Sequence, residues 1–156
     1  MTATNHAITG VLVVVWVPQP AVAVITAFGA HFVMDALPHF GINYGDELSR
    51  SSSKVFRRVL LGDLLLAGLI LLALPWLLAG VVSWWLVLAG ALACMSPDLV
   101  WGWHFYHEIR KRIVRPKSWF SRFHQRIQWS ETPPGLIIEA AWLVSVSLLI
   151  GLQART

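Results

Sequence analysis

Residues 59–79 read VLLGDLLLAGLILLALPWLLA, a run whose one charged side chain is Asp63. A bilayer hydrocarbon core of about 30 Å takes roughly 20 helical residues to cross. The run meets that length, and in lipid only a helix satisfies its own backbone hydrogen bonds. Two further stretches repeat the pattern, 83–103 (SWWLVLAGALACMSPDLVWGW) and 134–152 (PGLIIEAAWLVSVSLLIGL), each again with a single acid. Charged residues make up 13% of the 156-residue chain and the mean hydropathy is +0.64, whereas soluble domains average about 25% charged. A soluble fold would have to cover three such runs with too few remaining residues. The reading is an all-α membrane bundle forming one domain over residues 1–156.

Upstream lie two shorter apolar pieces, 7–17 and 21–37, separated by Pro18 and Pro20. The first is too short to span. They read as a short helical hairpin or re-entrant pair returning to the side it entered from, with a continuous span kinked at the prolines as the competing reading. The opening MTATNHAITG lacks the basic region of a secretory signal. Cys94, the single cysteine, lies in an apolar run and forms no intrachain disulfide.

Eleven of the twelve Lys and Arg residues fall in two segments, around 50–58 and 110–126. The tight turn near Gly80 makes 59–79 and 83–103 antiparallel, so both basic segments share one side. The positive-inside rule places that side in the cytoplasm of an inner (plasma) membrane. Trp101 and Trp103 then mark the inner interface, and Trp76, Trp84 and Trp85 the outer one. Between the last two long runs, 117–129 (KSWFSRFHQRIQW) reads as an amphipathic helix lying in the headgroup region. It is either a plain anchor or a contact for anionic lipid, with Arg122 and Arg126 at the edge of a substrate site.

Chemistry is expected from acids inside the apolar helices. Asp35, Asp63, Asp98 and Glu139 stand there, and an ionisable group at the bilayer centre costs at least about 2.5 kcal/mol on insertion scales. Helix counting puts all four within roughly 10 Å of the same boundary, at about 1.5 Å per residue. His31 and Asp35, four apart, share a helix face. His6 joins the layer if its helix starts on that side. Packed carboxylates in low dielectric either share a proton or hold a cation, and His with Asp is a ligand set for zinc, manganese or iron.

The expected divalent-metal site comprises His31, Asp35, Asp63 and Asp98, with His6 as a further ligand. His39 is either a ligand or a loop residue. His124 is an anchor or reaches over the site, and His104 and His107 read as interfacial. Glu139 is a ligand, a general base or a proton-sharing partner, and Asp63 is a second candidate base.

The segments NHAITG (5–10), AHFVMDALPHF (30–40), Gly62–Asp63 and SPDLVWG (96–102) resemble the YdjM-like group of small bacterial membrane proteins, described as membrane-bound metal-dependent hydrolases. The match falls on His6, His31, Asp35, Pro38, His39, Asp63 and Asp98. It departs where Pro97–Asp98 runs into LVW rather than Asp-His. The resemblance implies metal binding more directly than any substrate.

Three functions follow. The first is a metal-dependent hydrolase of a lipid or phospholipid ester at the cytoplasmic face. The second is a cation or proton transporter, which needs acids along a path across the bilayer. The third is a membrane scaffold or accessory subunit, which has no need of buried acids. Nucleic-acid binding is not expected, since topology explains the positive charge. No nucleophilic Ser elbow or phosphate-binding Gly loop is present.

Overall fold

A computed structural model describes residues 1–42, 52–111 and 118–155. Of the basic residues, Arg50, Arg112, Arg115 and Lys117 lie outside this set. The described residues form six helices and two short strands: α1 (Ala3–Trp16), α2 (Pro20–Ala36), β1 (His39–Phe40), α3 (Lys54–Leu77), α4 (Trp84–Lys111), α5 (Trp119–Ile127), β2 (Glu131–Thr132) and α6 (Gly135–Gln153). Helices α3, α4 and α6 are long and apolar enough to cross a membrane. Along α3, Leu61, Leu65, Leu69, Leu72 and Trp76 form an outward apolar stripe, while Ala67 is its one buried residue.

The helix pair at the start of the chain breaks where expected. Pro20 occupies the first turn of α2, where its missing N–H costs nothing. The N-terminus of α1 and the C-terminus of α2 meet, His6 lying 3.1 Å from Asp35, so the pair is a hairpin and not one kinked span.

Its first helix is also the centre of the bundle. α1 packs against α2, α3, α4 and α6, and ten of its residues are buried. Small residues make this possible. At the α1–α4 crossing a Cβ on Gly10 would stand 2.2 Å from the Gly90 carbonyl oxygen, and one on Gly90 would stand 2.4 Å from Val14. Close backbone approach of this kind is how helices associate when lipid removes the hydrophobic drive between them. Ala7, Val11, Val87 and Ala91 fill the adjoining core, and the Trp142 indole N–H donates to Thr9 Oγ1 at 2.8 Å.

α3 and α4 are joined by a turn at Gly80, whose φ of +92° few other residues adopt. β1 and β2 pair in parallel, His39 opposite Glu131. They tie the segment after α2 to the segment before α6, a link the hydrophobic pattern does not announce. α5 is capped by Ser118, whose Oγ accepts the Ser121 N–H at 3.1 Å. Phe120 and Phe123 of α5 pack on Phe32 of α2, which holds the short helix over the end of the hairpin.

Candidate metal centre

Four donor atoms from three helices converge. His31 and Asp35 come from α2, Asp98 from α4 and His124 from α5, and one donor atom of each lies within 4.8 Å of all the others. His124 Nε2 is 2.8 Å from Asp35 Oδ2 and 3.6 Å from Asp98 Oδ1. His31 Nε2 is 3.2 Å from Asp35 Oδ2 and 3.8 Å from Asp98 Oδ1. The two imidazole Nε2 atoms are 2.8 Å apart. Around a tetrahedral zinc with bonds of about 2.05 Å, donor atoms stand roughly 3.3 Å from one another. The observed separations bracket that value.

The tautomer of His31 makes the site informative. Its Nδ1 lies 2.7 Å from the Cys94 carbonyl oxygen. A carbonyl only accepts, so Nδ1 carries the proton, and in the neutral ring Nε2 presents a lone pair to the group. That lone pair faces the Asp35 carboxylate and a second imidazole. A His124 tautomer protonated on Nε2 relieves the repulsion by a hydrogen bond, and so does an extra proton or a metal ion. A ring nitrogen held by a backbone carbonyl while the other points at the site is the outer-shell arrangement of metal-ligating histidines.

Pro97 contributes to this arrangement. It sits inside α4 and cannot donate to the Ala93 carbonyl. The Ser96 hydroxyl donates there instead, at 2.8 Å, and the next carbonyl, that of Cys94, takes His31. Asp98 follows directly, with its side chain 32% exposed while His31 and Asp35 are sealed at 0%. Asp98 therefore forms the reachable side of the group. It opens on a cavity of ≈ 470 Å³ lined by apolar residues of α3 and α4, among them Leu60, Leu64, Met95, Leu99 and Phe105. Other polar side chains of the same cavity are His39, Asp63, His124, Gln128 and Glu131.

Asp35 is the most heavily contacted acid. His6 Nε2 is 3.1 Å from its Oδ1, the Gln128 amide donates to Oδ2 at 3.0 Å, and the Met1 amino group donates to Oδ1. His6 stacks on His31 with ring centroids 4.1 Å apart.

Other residues expected at the site take different roles. Asp63 is not brought into the His/Asp group. Its Oδ2 accepts the Ala3 N–H at 2.7 Å and its Oδ1 the Thr4 N–H at 3.0 Å, so it binds the positive end of α1. Glu139 is engaged the same way and is not poised as a base. It accepts from Thr2 N at 3.0 Å, Asn5 Nδ2 at 3.1 Å and Phe40 N at 3.1 Å. His39 also stays outside the group. Its Nδ1 donates to the Leu37 carbonyl at 2.8 Å, and its Nε2 is 3.7 Å from Glu131.

Arg122 and Arg126 are exposed on α5 and do not line this cavity. His104 Nε2 lies 3.5 Å from Ser121 Oγ, and His107 packs edge-on against Trp103.

His124, expected at the edge, stands at the centre. Gln128, one turn further along the chain, was not singled out by the sequence reading. The i, i+4 relation of the two was the available signal, since Gln128 follows His124 on the side that faces Asp35.

No family model matches the chain, and no curated protein or solved structure matches it.

Proposed function

We propose that the chain is a metal-dependent hydrolase embedded in the plasma membrane, acting on a lipid or phospholipid ester at the cytoplasmic face. The observation that carries this reading is the convergence of His31, His124, Asp35 and Asp98 at the inner end of a largely apolar cavity. The sequence resemblance to the YdjM-like group points the same way through His6, His31, Asp35 and Asp98. Two nitrogens and two oxygens suit zinc first, and manganese or iron by the same ligand types.

A bound divalent ion supplies Lewis acidity and a water whose pKa falls to about 7. His31, His124 and Asp35 would hold it from the sealed side, and Asp98 from the cavity side. The apolar walls from α3 and α4 accept an acyl chain, and Lys54, Arg57 and Arg58 at the start of α3 attract an anionic headgroup. With Asp63 and Glu139 occupied by N–H donors, the proton acceptor we assign is Glu131. It lines the cavity and is 28% exposed beside His39.

The charge asymmetry supports a cytoplasmic position for this end. Transport finds less support, because the halves of α3 and α4 remote from the group carry no acid. A scaffold gains nothing from a carboxylate buried among three imidazoles.

Elemental analysis of detergent-purified protein tests the reading. Wild type is expected to carry at least about one zinc or manganese per chain and Asp35→Ala less than a tenth of that. Near-zero metal in both, after growth and reconstitution with excess ion, ends the proposal. Release of fatty acid or headgroup from mixed anionic vesicles should stop with chelator and return with added ion.

A further inference from the structure

The four-atom group uses only one oxygen from each carboxylate. Asp35 contributes Oδ2 and Asp98 contributes Oδ1. The remaining oxygens, Asp35 Oδ1 and Asp98 Oδ2, both face His6 Nε2, at 3.1 and 3.8 Å. Each carboxylate thus lies between two imidazole sets, with His31 and His124 on one side and His6 on the other.

The imidazoles keep the spacing such a pair requires. His6 and His31 are stacked at 4.1 Å with planes 23° apart, and their Nε2 atoms approach the same two carboxylates side by side. Ions in two-metal hydrolytic sites stand about 3.5–4 Å apart. His6 is sealed at 0% exposure, so its Nε2 is not placed there to meet solvent. The Met1 amino group, which also donates to Asp35 Oδ1, already brings positive charge to this side.

Resting on the metal-site reading above, we propose that the centre is dinuclear. The first ion is held by His31 and His124, the second by His6, and Asp35 and Asp98 bridge them. The second ion takes the place of the Met1 amino group at Asp35 Oδ1. Neither Asp63 nor Glu139 takes part.

The test is stoichiometry with manganese alone as the probe. Apoprotein in detergent is titrated with Mn(II), bound ion is counted after gel filtration, and the loaded protein is read by electron paramagnetic resonance. Wild type should saturate at two ions per chain with a spin-coupled spectrum. His6→Gln should saturate at one, with the six-line signal of an isolated Mn(II). Wild type saturating at one ion with an isolated signal overturns the second site and leaves the first standing. Two ions retained in His6→Gln also overturn it. Wild type binding none removes the metal reading itself and this inference with it. Should His6→Gln fail to fold, the wild-type count and spectrum decide alone.

Discussion

The end of the bundle where α1 begins holds two collections of acid, each with one fully buried member, Glu139 or Asp35, and they solve the same problem differently. Asp63 and Glu139 surround the first turn of α1, and every contact the structure gives their carboxylate oxygens comes from an N–H donor. The helix supplies what the acids need, namely unpaired N–H groups and the positive end of its dipole. Asp35 and Asp98 lie one layer across, surrounded by imidazoles. There donors and lone pairs meet: Asp35 accepts from the Met1 amino group and the Gln128 amide, while His31 has committed its proton to the Cys94 carbonyl and turns a lone pair toward the carboxylates. Burial alone does not separate a structural acid from a chemical one. The balance of donors and lone pairs does.

The largest expected effect breaks the comparison at its centre. Asp35→Asn keeps the shape but removes the charge that three imidazoles and Gln128 face. Metal content should fall at least about tenfold and hydrolysis should drop by about 10²–10³, on the order expected when a transition-state stabilising group is lost. Elemental analysis alongside the vesicle assay checks both. Full metal with full activity in this variant would place the chemistry elsewhere.

His124→Gln comes next. Its imidazole is buried on a short helix pinned by Phe120 and Phe123, so the helix should stay while one ligand is lost. Metal affinity should weaken at least 10–100-fold, the range seen already for lost outer-shell partners. Competition with a chelating dye measures it. An unchanged affinity would return His124 to the role of interfacial anchor.

Asp63→Asn and Glu139→Gln probe the other collection. Each places an amide N–H where only N–H donors converge. Each should cost about 1–3 kcal/mol, the penalty for buried polar groups left unpaired, seen as a lower thermal midpoint in detergent. Metal content should stay within twofold of wild type. Loss of the ion with unchanged stability would move Asp63 or Glu139 back among the ligands.

Much of this arrangement was legible in the residues. The apolar runs gave α3, α4 and α6 within a few residues, α4 excepted, which continues past 103 to Lys111. The four acids at one depth, and His31 four residues before Asp35, followed from helix geometry. What the residues withheld was partnership. A backbone N–H has no letter, so nothing in the sequence said that the start of α1 would claim Asp63 and Glu139. The central place of α1 was hidden too, because a run too short to span reads as peripheral until its Gly10 meets Gly90. His124 was undervalued because its helix is amphipathic, and beside Trp119 and Phe123 it looked like part of an anchor. The β1–β2 pair lies in segments with no periodic pattern at all.

The smallest expected effect sharpens the comparison most. Cys94 is fully buried, with its Sγ 3.9 Å from His6 Nδ1, and a thiol near histidines and acids invites assignment as a ligand. The geometry gives the work to its backbone instead, since the carbonyl oxygen is what orients His31. Cys94→Ala keeps that carbonyl and deletes one sulfur atom from a packed site, at a cost of about 1 kcal/mol by analogy with small core truncations. Metal content, manganese spectrum and hydrolysis should all remain within twofold of wild type. Proline at position 94 would be the harsher probe, and it is the less useful one because it disturbs α4 as a whole. If alanine at 94 strips the ion, the sulfur is a ligand and the donor set is softer than two nitrogens and two oxygens. If it does not, the buried main-chain oxygen of Cys94 is what commits His31 to its metal-facing tautomer.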